Sequence, residues 1–294
     1  MLELRAENSV LVVLPEVGGA IGSWERAGHA ILHPVSDPNL VAQKLRAVAA
    51  YPLIPFSNRV GYARFEFGGE TFELARNFAG EPHAIHGNAW ERSWTVAHRE
   101  PARAVLSLDH APPEDPAEQW PFRYRATIDY RLRDDGLSVI LRVENTDRRP
   151  QPVGLGFHPF YPRTTEVELG FAADSVLIAG PDSLPAEQVA VEGEWRFSPM
   201  RPLDGPPLDN CFRGWDGSAF MRWPDRGYAL TLTASEPLRH LVVFSPPGKD
   251  YFAVEPASNM TDAIHHPDDP NRGLVLLKPG EAVEATVEFA LARL

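Results

Sequence analysis

Short runs in which apolar and polar residues alternate recur along the chain, and this pattern predicts β-strands. In Arg123–Leu132 every second residue from Tyr124 onward is apolar and most of the others are charged. A strand here would bury one face and expose the other. Comparable runs predict strands at Ser9–Leu14, Tyr62–Phe67, Thr71–Leu74, Trp94–His98, Val105–Leu108, Leu137–Glu144, Tyr228–Ala234, Leu241–Phe244, Tyr251–Glu255 and Ala282–Ala290.

Turn residues separate these runs and favour antiparallel pairing. Gly68-Gly69 and Asp134-Asp135-Gly136 each join two predicted strands as a hairpin. The 29 prolines and 22 glycines are spread over the whole chain, which argues against long helices. The one sustained helical candidate is Asn39–Ala50, which Asn39 would cap and Tyr51-Pro52 would end; an irregular loop is the alternative.

The chain shows no internal repeat, no low-complexity linker and no break in composition. We therefore expect a single all-β domain over residues 1–294. The economical architecture is a large antiparallel β-sandwich, in which two sheets pack face to face and helices are few and short.

Composition excludes several classes of partner. The 28 basic and 40 acidic residues give a net charge of −12, which disfavours nucleic acid because phosphate binding needs a basic face. A single cysteine, Cys211, allows neither an internal disulfide nor a Cys-based metal cluster. The N-terminus lacks the features of a signal peptide, and no apolar run approaches the ~20 residues of a membrane helix. We expect a cytoplasmic protein that does not bind membranes.

Common catalytic motifs are absent from the sequence. The chain contains no G-x-S-x-G elbow, no phosphate-binding P-loop and no H-E-x-x-H pair. Gly154 and Gly156 lack the third glycine of a dinucleotide-binding loop. His265-His266 lies near two aspartates, but adjacent histidines point apart, so we interpret the segment as a solvated loop. No metal and no cofactor are expected.

Four segments combine polar residues with apolar, Gly/Pro-marked surroundings. An arginine can donate a fork of hydrogen bonds to ligand oxygens, a histidine among aromatic residues can be tuned as a general acid, and a carboxylate that ends an apolar strand must be exposed or paired. The segments are Pro55–Gly61 with Asn58 and Arg59, Pro82–Trp90 with His86, Gly154–Pro162 with His158, and Tyr251–Asn259 with Glu255.

Taken alone, each of these residues also has a structural interpretation. Arg59 could satisfy loop carbonyls, and His86 or its neighbour His83 could be a buried structural histidine. Glu255 could be an ordinary surface residue at a strand end. The residue types by themselves leave these alternatives open.

Taken together, the segments resemble the aldose 1-epimerase (galactose mutarotase) family. The resemblance runs from Pro55 to LKPGEAVEATVEF near the C-terminus and follows the family's order. It departs at Asn88, where the family commonly has glycine, and at Phe160-Tyr161, where the family has Tyr-Phe. The matching stretches are PFSNRVGYARFEFGGETFEL, HAIHGNAWERSW, GLGFHPFYP, LDNCF and VEPASNMTDAIHHP.

This resemblance implies the galactose mutarotase-like supersandwich fold and an isomerase that interconverts the α and β anomers of a free aldose. It implies that His158 is the acid facing the ring oxygen and that Glu255 is the base on the anomeric hydroxyl. The implied sugar-binding residues are Asn58, Arg59, His86 and Asp209. The expected partner is a small-molecule sugar, bound by a monomer or homodimer.

Three other functions stay open at this stage. A mutarotase of a phosphorylated hexose would show a cluster of arginines at the pocket rim. A non-catalytic carbohydrate-binding or sensing protein could use the same fold. A glycoside hydrolase would need a second carboxylate, such as Asp209 or Asp262.

Aromatic residues that could stack on the sugar are Trp90, Phe160, Trp215 and Trp223.

Overall fold

Antiparallel strands make up most of the backbone in the computed structural model, which describes residues 1–36 and 47–294. The helices in these ranges are single 3-10 turns at Gly61–Ala63, Ala89–Glu91, Gly193–Trp195, Pro224–Arg226 and Ala263–His265. No helix in the same ranges is long and apolar enough to cross a membrane.

In chain order the strands are β1 (Leu2–Ala6), β2 (Ser9–Leu14), β3 (Ala20–Arg26), β4 (His29–Ala30), β5 (Ala50–Leu53), β6 (Arg59–Val60), β7 (Arg64–Phe67), β8 (Glu70–Glu73), β9 (Ala84–Ile85), β10 (Thr95–Glu100), β11 (Arg103–His110), β12 (Tyr124–Arg133), β13 (Gly136–Asn145), β14 (Gln151–Val153), β15 (Gly156–Pro162), β16 (Glu168–Phe171), β17 (Ser175–Ala179), β18 (Pro185–Ala190), β19 (Arg201–Pro202), β20 (Leu208–Arg213), β21 (Ser218–Trp223), β22 (Tyr228–Ala234), β23 (His240–Ser245), β24 (Tyr251–Ala257), β25 (Val275–Leu277) and β26 (Ala282–Arg293).

Two large sheets contain most of these strands. The first sheet has the order β1-β2-β3-β5-β15-β24-β23-β20-β17-β18, with β4 paired to β3. The second sheet has the order β10-β11-β12-β13-β26-β22-β21-β16-β19. Short pairs β14-β25, β6-β9 and β7-β8 lie outside them. The predicted all-β architecture of large antiparallel sheets is confirmed.

The core lies between the two sheets, where aromatic side chains from both meet. Trp24 on β3 contacts Phe289 on β26 with ring centroids 5.9 Å apart, and Phe157 on β15 lies 6.3 Å from the same ring. The Tyr130 hydroxyl on β12 donates to the Gly19 carbonyl at 2.8 Å. Each fully buried large apolar side chain contributes roughly 1.5–3 kcal/mol to this packing.

Each strand predicted from alternation coincides with an observed strand, and both predicted hairpins are confirmed. Phe67 pairs with Glu70 across Gly68-Gly69, and Arg133 pairs with Gly136. The predicted strand Tyr62–Phe67 begins late because Tyr62 and Ala63 have positive φ and belong to a 3-10 turn. Strand β15 escaped prediction because all its residues are buried and it contains two prolines, so it shows no alternation.

Residues 39–46 of the helix predicted at Asn39–Ala50 lie outside the described residues. For the remaining residues, 47–50, the prediction of a helix is wrong. Val48 forms an antiparallel bridge with Val35, and Ala50 begins β5. The physical reason is burial: Ala50 pairs with Ile21 and Pro159, which fills the gap between β3 and β15. Tertiary pairing here overrides the local capping signal.

The segment after β9 packs closely on the chain at Ile54. Gly87 has φ +68°, and a Cβ at this position would lie 2.0 Å from the Ile54 carbonyl oxygen. The amides of Asn88 and Ala89 donate to that same oxygen at 3.1 Å. Glycine at this position therefore allows the loop that carries His86 to close on the first sheet.

We expect Gly87→Ala to lower the free energy of unfolding by more than about 3 kcal/mol, because backbone strain adds to a collision with the Ile54 carbonyl. Gly68→Ala is the matched control, since Gly68 has φ +61° but open space around it; it should cost about 1 kcal/mol. Urea unfolding of both variants measures the difference. Equal losses would contradict the close packing at Gly87.

Candidate active site

All six residues predicted for the site line one cavity of about 430 Å³, a size typical of small-molecule pockets. His158, Asp209 and Glu255 project from β15, β20 and β24 in the centre of the first sheet. Loops and short strands bring the other three to the same cavity. The residues brought together are Asn58, Arg59, His86, His158, Asp209 and Glu255.

The pairing of β15 with β24 sets the acid and base candidates opposite each other. Gly156 pairs with Ala257 in this antiparallel ladder, so His158 and Glu255, two residues along each strand, face one another. His158 Nε2 lies 3.1 Å from Glu255 Oε1, and both side chains are buried. His158 Nδ1 and Glu255 Oε2 have no hydrogen-bond partner in residues 1–36 and 47–294.

Burial shifts the two groups in opposite directions. It lowers the pKa of His158 to about 3 and raises the pKa of Glu255 well above its ordinary value, with the charge of Asp209 adding to the rise. Both shifts arise because a charged form loses hydration in the cavity. The pair therefore holds one proton around neutrality. The pair holds this one proton whether it sits on Glu255, which makes both groups neutral, or on His158, which gives an imidazolium beside a carboxylate.

Two aromatic rings pack against the His158 imidazole. Tyr51 stacks on it at 4.7 Å between centroids, and Phe160 lies 4.5 Å from it. Of the aromatic residues proposed to stack on a sugar, Phe160 lines the cavity. Trp90 lies behind Tyr51, with its centroid 5.6 Å from that ring.

The other two tryptophans proposed as stacking residues, Trp215 and Trp223, are fully buried and belong to the core. Sequence reasoning missed four other aromatic residues that line the cavity, three of which lie in segments without polar motif residues, while the fourth, Tyr251, begins the segment of Glu255. These residues are Tyr51, Phe78, Phe244 and Tyr251.

The order Phe160-Tyr161 decides which ring faces the cavity. Neighbouring residues of a strand point to opposite faces, and Tyr161 lies in the core against Phe252, with centroids 5.4 Å apart. The cavity therefore receives an apolar ring at this position. Asn88, the other departure from the family pattern, faces the interior and accepts a hydrogen bond from Tyr124 at 2.7 Å.

His86 has a defined tautomer. Its Nδ1 accepts a hydrogen bond from the Asn58 backbone amide at 3.1 Å. Burial lowers the pKa of His86 well below its ordinary value, with the neighbouring His158 and Arg59 acting in the same direction. The neutral ring then carries its proton on Nε2, as a hydrogen-bond donor.

Asn77 holds the loop of His86 in place and was missed by sequence reasoning. Its amide nitrogen donates to the carbonyls of Ile85 and Gly87 at 2.8 and 2.9 Å, and its oxygen accepts from the Ile85 amide at 2.8 Å. These three bonds constrain the backbone on both sides of His86. The only signal in the sequence is an asparagine nine residues before the histidine.

Arg59 joins two carboxylates at the cavity. Its guanidinium lies 3.1 Å from Glu81 and 3.4 Å from Asp209. Asn58 has φ +60°, and its side-chain oxygen accepts a hydrogen bond from the Arg59 backbone amide at 2.9 Å. Glu81 was also missed, because it lies in a polar segment without a motif.

His83 does not share the position of His86. Its Nδ1 accepts from the Tyr62 amide at 2.9 Å, and its Nε2 lies 2.7 Å from the Asp182 carbonyl. Both ring nitrogens are therefore used to join two loops. His265, from the adjacent histidine pair, bonds Asp262 at 2.6 Å.

One group of described residues has ligand atoms close enough together to hold a metal ion: His86, His158 and Glu255, within 4.8 Å of one another. The hydrogen bond from the Asn58 amide argues against this use. It occupies His86 Nδ1 and leaves Nε2 protonated, whereas a metal needs a free lone pair on the ring. The arrangement suits proton transfer and hydrogen bonding to a polar ligand.

Comparisons with known proteins identify the family of the chain. The family model described as aldose 1-epimerase matches residues 1–290. The uncharacterized protein YphB of Escherichia coli K12 is 26% identical over 294 residues, covering 97% of this chain and 96% of its own.

Solved structures show the same fold. A structure from Escherichia coli K12, provisionally named an aldose 1-epimerase, superimposes with a TM-score of 0.87 at 25% identity, covering 99% of this chain and 98% of its own. A galactose mutarotase-like protein from Clostridium acetobutylicum has a TM-score of 0.85 at 19% identity, with 99% and 95% covered. With the match of the family model over residues 1–290, the chain belongs to the aldose 1-epimerase family.

Proposed function

We propose that this protein is an aldose 1-epimerase that interconverts the α and β anomers of a free aldose. The observation that carries the proposal is the buried His158–Glu255 pair, 3.1 Å apart in a cavity sized for a small molecule. Anomer exchange requires a proton acceptor and a proton donor within reach of the sugar, and this pair can supply both.

In the proposed reaction Glu255 removes the proton from the anomeric hydroxyl while His158 delivers a proton to the ring oxygen. The C1–O5 bond breaks and a free aldehyde forms. After rotation about C1–C2, the ring oxygen attacks the other face of the carbonyl. His158 takes its proton back, and Glu255 returns the other proton to O1, so the enzyme ends the cycle with the protons it began with.

The charge of the cavity supports an unphosphorylated sugar. Among the described residues that line it, Arg59 is the one arginine or lysine, and it already contacts Glu81 and Asp209. A phosphate would meet these carboxylates and Glu255, and the unpaired cation it needs is not supplied by the described lining. Neutral hydroxyls can accept from Arg59 and His86 and donate to Asp209 and Glu81.

We expect His158→Asn and Glu255→Gln each to lower kcat by about 10²–10⁴-fold, because each removes one proton-transfer group. NMR exchange between α and β anomers, measured on a panel of free sugars, tests this. His98→Asn is the matched control, since His98 is exposed on β10 and should keep the normal rate. Near-normal exchange in both site variants would refute the acid and base roles.

No acceleration for any free sugar, despite binding, would overturn the proposal itself. The same panel of sugar phosphates would then separate the two alternatives. Acceleration restricted to phosphates would identify a sugar-phosphate mutarotase. Binding without exchange in either panel would identify a sugar-sensing protein.

We expect kcat/KM to be constant around neutral pH and to fall on both sides. At low pH the pair takes up a second proton, which leaves no base. Because burial lowers the pKa of His158, the fall in rate on the acid side lies below the ordinary histidine pKa. At high pH the pair loses its one proton, which leaves no acid. Because burial raises the pKa of Glu255, the fall in rate on the alkaline side lies above the ordinary carboxyl pKa. Exchange rates corrected for spontaneous mutarotation give the profile. A single transition at about 6.5, as for an isolated histidine, would contradict the coupled pair.

We expect Arg59→Ala and Asp209→Asn to raise KM about tenfold or more, with a smaller change in kcat, because they remove hydrogen bonds to sugar hydroxyls rather than proton transfer. Steady-state anomer exchange at varied sugar concentration gives both constants. Arg5→Ala is the control, since Arg5 is an exposed residue of β1. An unchanged KM with a collapsed kcat would contradict the binding role.

A further inference from the structure

The turn between β17 and β18 brings Ser183 to the wall of the active-site cavity, where it is one of the lining residues. No motif in the sequence marked this residue. The antiparallel ladder of β17 with β20 pairs Ser175 with Arg213, so the end of β17 runs toward the start of β20, where Asp209 lies. The turn therefore follows β17 on the side of Asp209 that is away from Glu255.

Ser183 occupies a backbone position that usually requires glycine. Its amide donates to the Gly180 carbonyl at 3.0 Å, and the Gly180 amide donates to the Leu184 carbonyl at 2.8 Å. With Pro181 as the second residue, this is the bond pattern of a type I turn followed by a bulge. The last loop residue of such a hairpin has positive φ and is normally glycine, and Ser183 has φ +64°. The serine side chain is therefore present at a cost in backbone strain.

The same backbone conformation recurs at two other residues of the cavity. Asn58 and His86 have φ +60° and +63°, and both line the cavity with Ser183. Non-glycine residues in this conformation cluster at ligand sites, where the surrounding structure holds the strained backbone in place. The strain at Ser183 thus points to a use for its hydroxyl in the cavity.

The Ser183 hydroxyl is available to a ligand. Ser183 is partly exposed, and its hydroxyl makes no hydrogen bond within residues 1–36 and 47–294 and is not among the buried atoms that lack a partner. The charged groups on this side of the cavity already contact each other, since Arg59 lies 3.1 Å from Glu81 and 3.4 Å from Asp209. A serine hydroxyl both donates and accepts, which suits a sugar hydroxyl.

His83 holds this turn in place. Its Nδ1 accepts from the Tyr62 amide at 2.9 Å, so its Nε2 donates to the Asp182 carbonyl at 2.7 Å. The Tyr62 hydroxyl donates to the Asp182 carboxylate at 2.8 Å. The residue before Ser183 is therefore fixed by both its carbonyl and its side chain. His86 lines the cavity directly, whereas His83, three residues earlier, acts through the turn.

The place of the turn in the sheet indicates which part of a sugar Ser183 contacts. In the order β24-β23-β20-β17, the strand of Glu255 lies two strands from that of Asp209, about 10 Å away, and the turn follows the next strand. With C1 and the ring oxygen placed at Glu255 and His158, the hydroxyls nearest to the turn are those across the ring from C1, at C3 and C4.

We propose that Ser183 binds the sugar through a hydrogen bond to the hydroxyl at C3 or C4, and that His83 is the positioning residue that holds Ser183 at the cavity. This inference rests on the proposed function, because it takes the place of C1 from the proton-transfer pair. It adds a determinant of sugar specificity to the six site residues found from the sequence.

The test measures dissociation constants by NMR titration of ¹⁵N-labelled protein. The parent sugar is D-glucose or D-galactose, whichever binds more tightly, and it is compared with its 2-deoxy, 3-deoxy and 4-deoxy analogues. Ser183→Ala removes the hydroxyl, and Ser183→Gly removes it while relieving the backbone strain. Ser107→Ala is the matched control, since Ser107 is a partly exposed residue of β11 in the second sheet.

We expect both Ser183 variants to bind the parent sugar about three- to tenfold more weakly, as for the loss of one hydrogen bond. The loss should disappear with either the 3-deoxy or the 4-deoxy analogue, because a missing hydroxyl has no contact to lose, and it should persist with the 2-deoxy analogue. Ser107→Ala should bind every sugar as the wild type does.

We expect His83→Ala to show the same dependence on the deoxy sugar, and to add no further loss in the double variant with Ser183→Ala. Tyr62→Phe serves if His83→Ala does not fold, since it removes one bond to Asp182 at an exposed side chain. Its loss should be smaller and should follow the same pattern. An additive loss would overturn the positioning role.

Normal affinity in both Ser183 variants, a loss that persists with both the 3-deoxy and the 4-deoxy analogues, or no binding of either hexose to the wild type would overturn the sugar contact. Anomer exchange on the same samples separates this inference from the proposed function. Exchange in the wild type with normal affinity in the Ser183 variants would refute the contact alone. The selective loss of affinity without any exchange in the wild type would refute the anomer exchange alone.

Discussion

Desolvation of one carboxyl and one imidazole is the constraint on which the rest of the site depends. His158 and Glu255 lie 3.1 Å apart and are almost completely buried. Two such groups cannot both be protonated or both be deprotonated at little cost, so they act as a unit that holds a single proton. This unit needs a rigid frame, because proton transfer depends on sub-ångström positioning of donor and acceptor.

The centre of the first sheet provides that frame. β15 and β24 are interior strands with paired neighbours on both sides, so their backbone hydrogen bonds hold the two side chains opposite each other. Tyr51 and Phe160 both pack against the imidazole and shield it from water. Of the groups that would bind the sugar, Asp209 also projects from this sheet, whereas Asn58, Arg59 and His86 lie on loops and short strands outside it. There Asn77 and the close approach of Gly87 to Ile54 replace the support of a sheet.

The same sheet carries polar residues at a second place. Asp209 near the start of β20 lines the active-site cavity, and Arg213 at its end lines a second one. The two side chains are four positions apart, so they project from the same face of the strand. Arg213 and His240 each keep one buried polar atom without a partner among the described residues. Unpaired buried polar atoms are uncommon in folded proteins.

The sequence by itself determined the strands that have one wet face. Their alternating pattern records which side meets water, and Arg123–Leu132 became β12 almost residue for residue. It also pointed to six of the residues that line the cavity, because the order of the motifs resembles a known family. The fully buried strands β15 and β5 were not predicted, since burial on both faces removes the alternation and prolines within them are the strongest local signal. The equally buried β24 was predicted because its apolar run precedes its proline.

Only the tertiary structure decided the geometry of the site. The 3.1 Å contact of His158 with Glu255 joins residues 97 positions apart, and nothing in either segment indicates that their strands are neighbours. The ion pair of Glu81 with Arg59 and the hydrogen bonds of Asn77 to the His86 loop also join segments whose proximity the sequence does not indicate. The tautomer of His86 likewise depends on its contact with the Asn58 amide. These features depend on strand pairing and loop closure between distant segments. Local sequence encodes side-chain chemistry and which face is wet, whereas distances and protonation states depend on which segments the fold brings together.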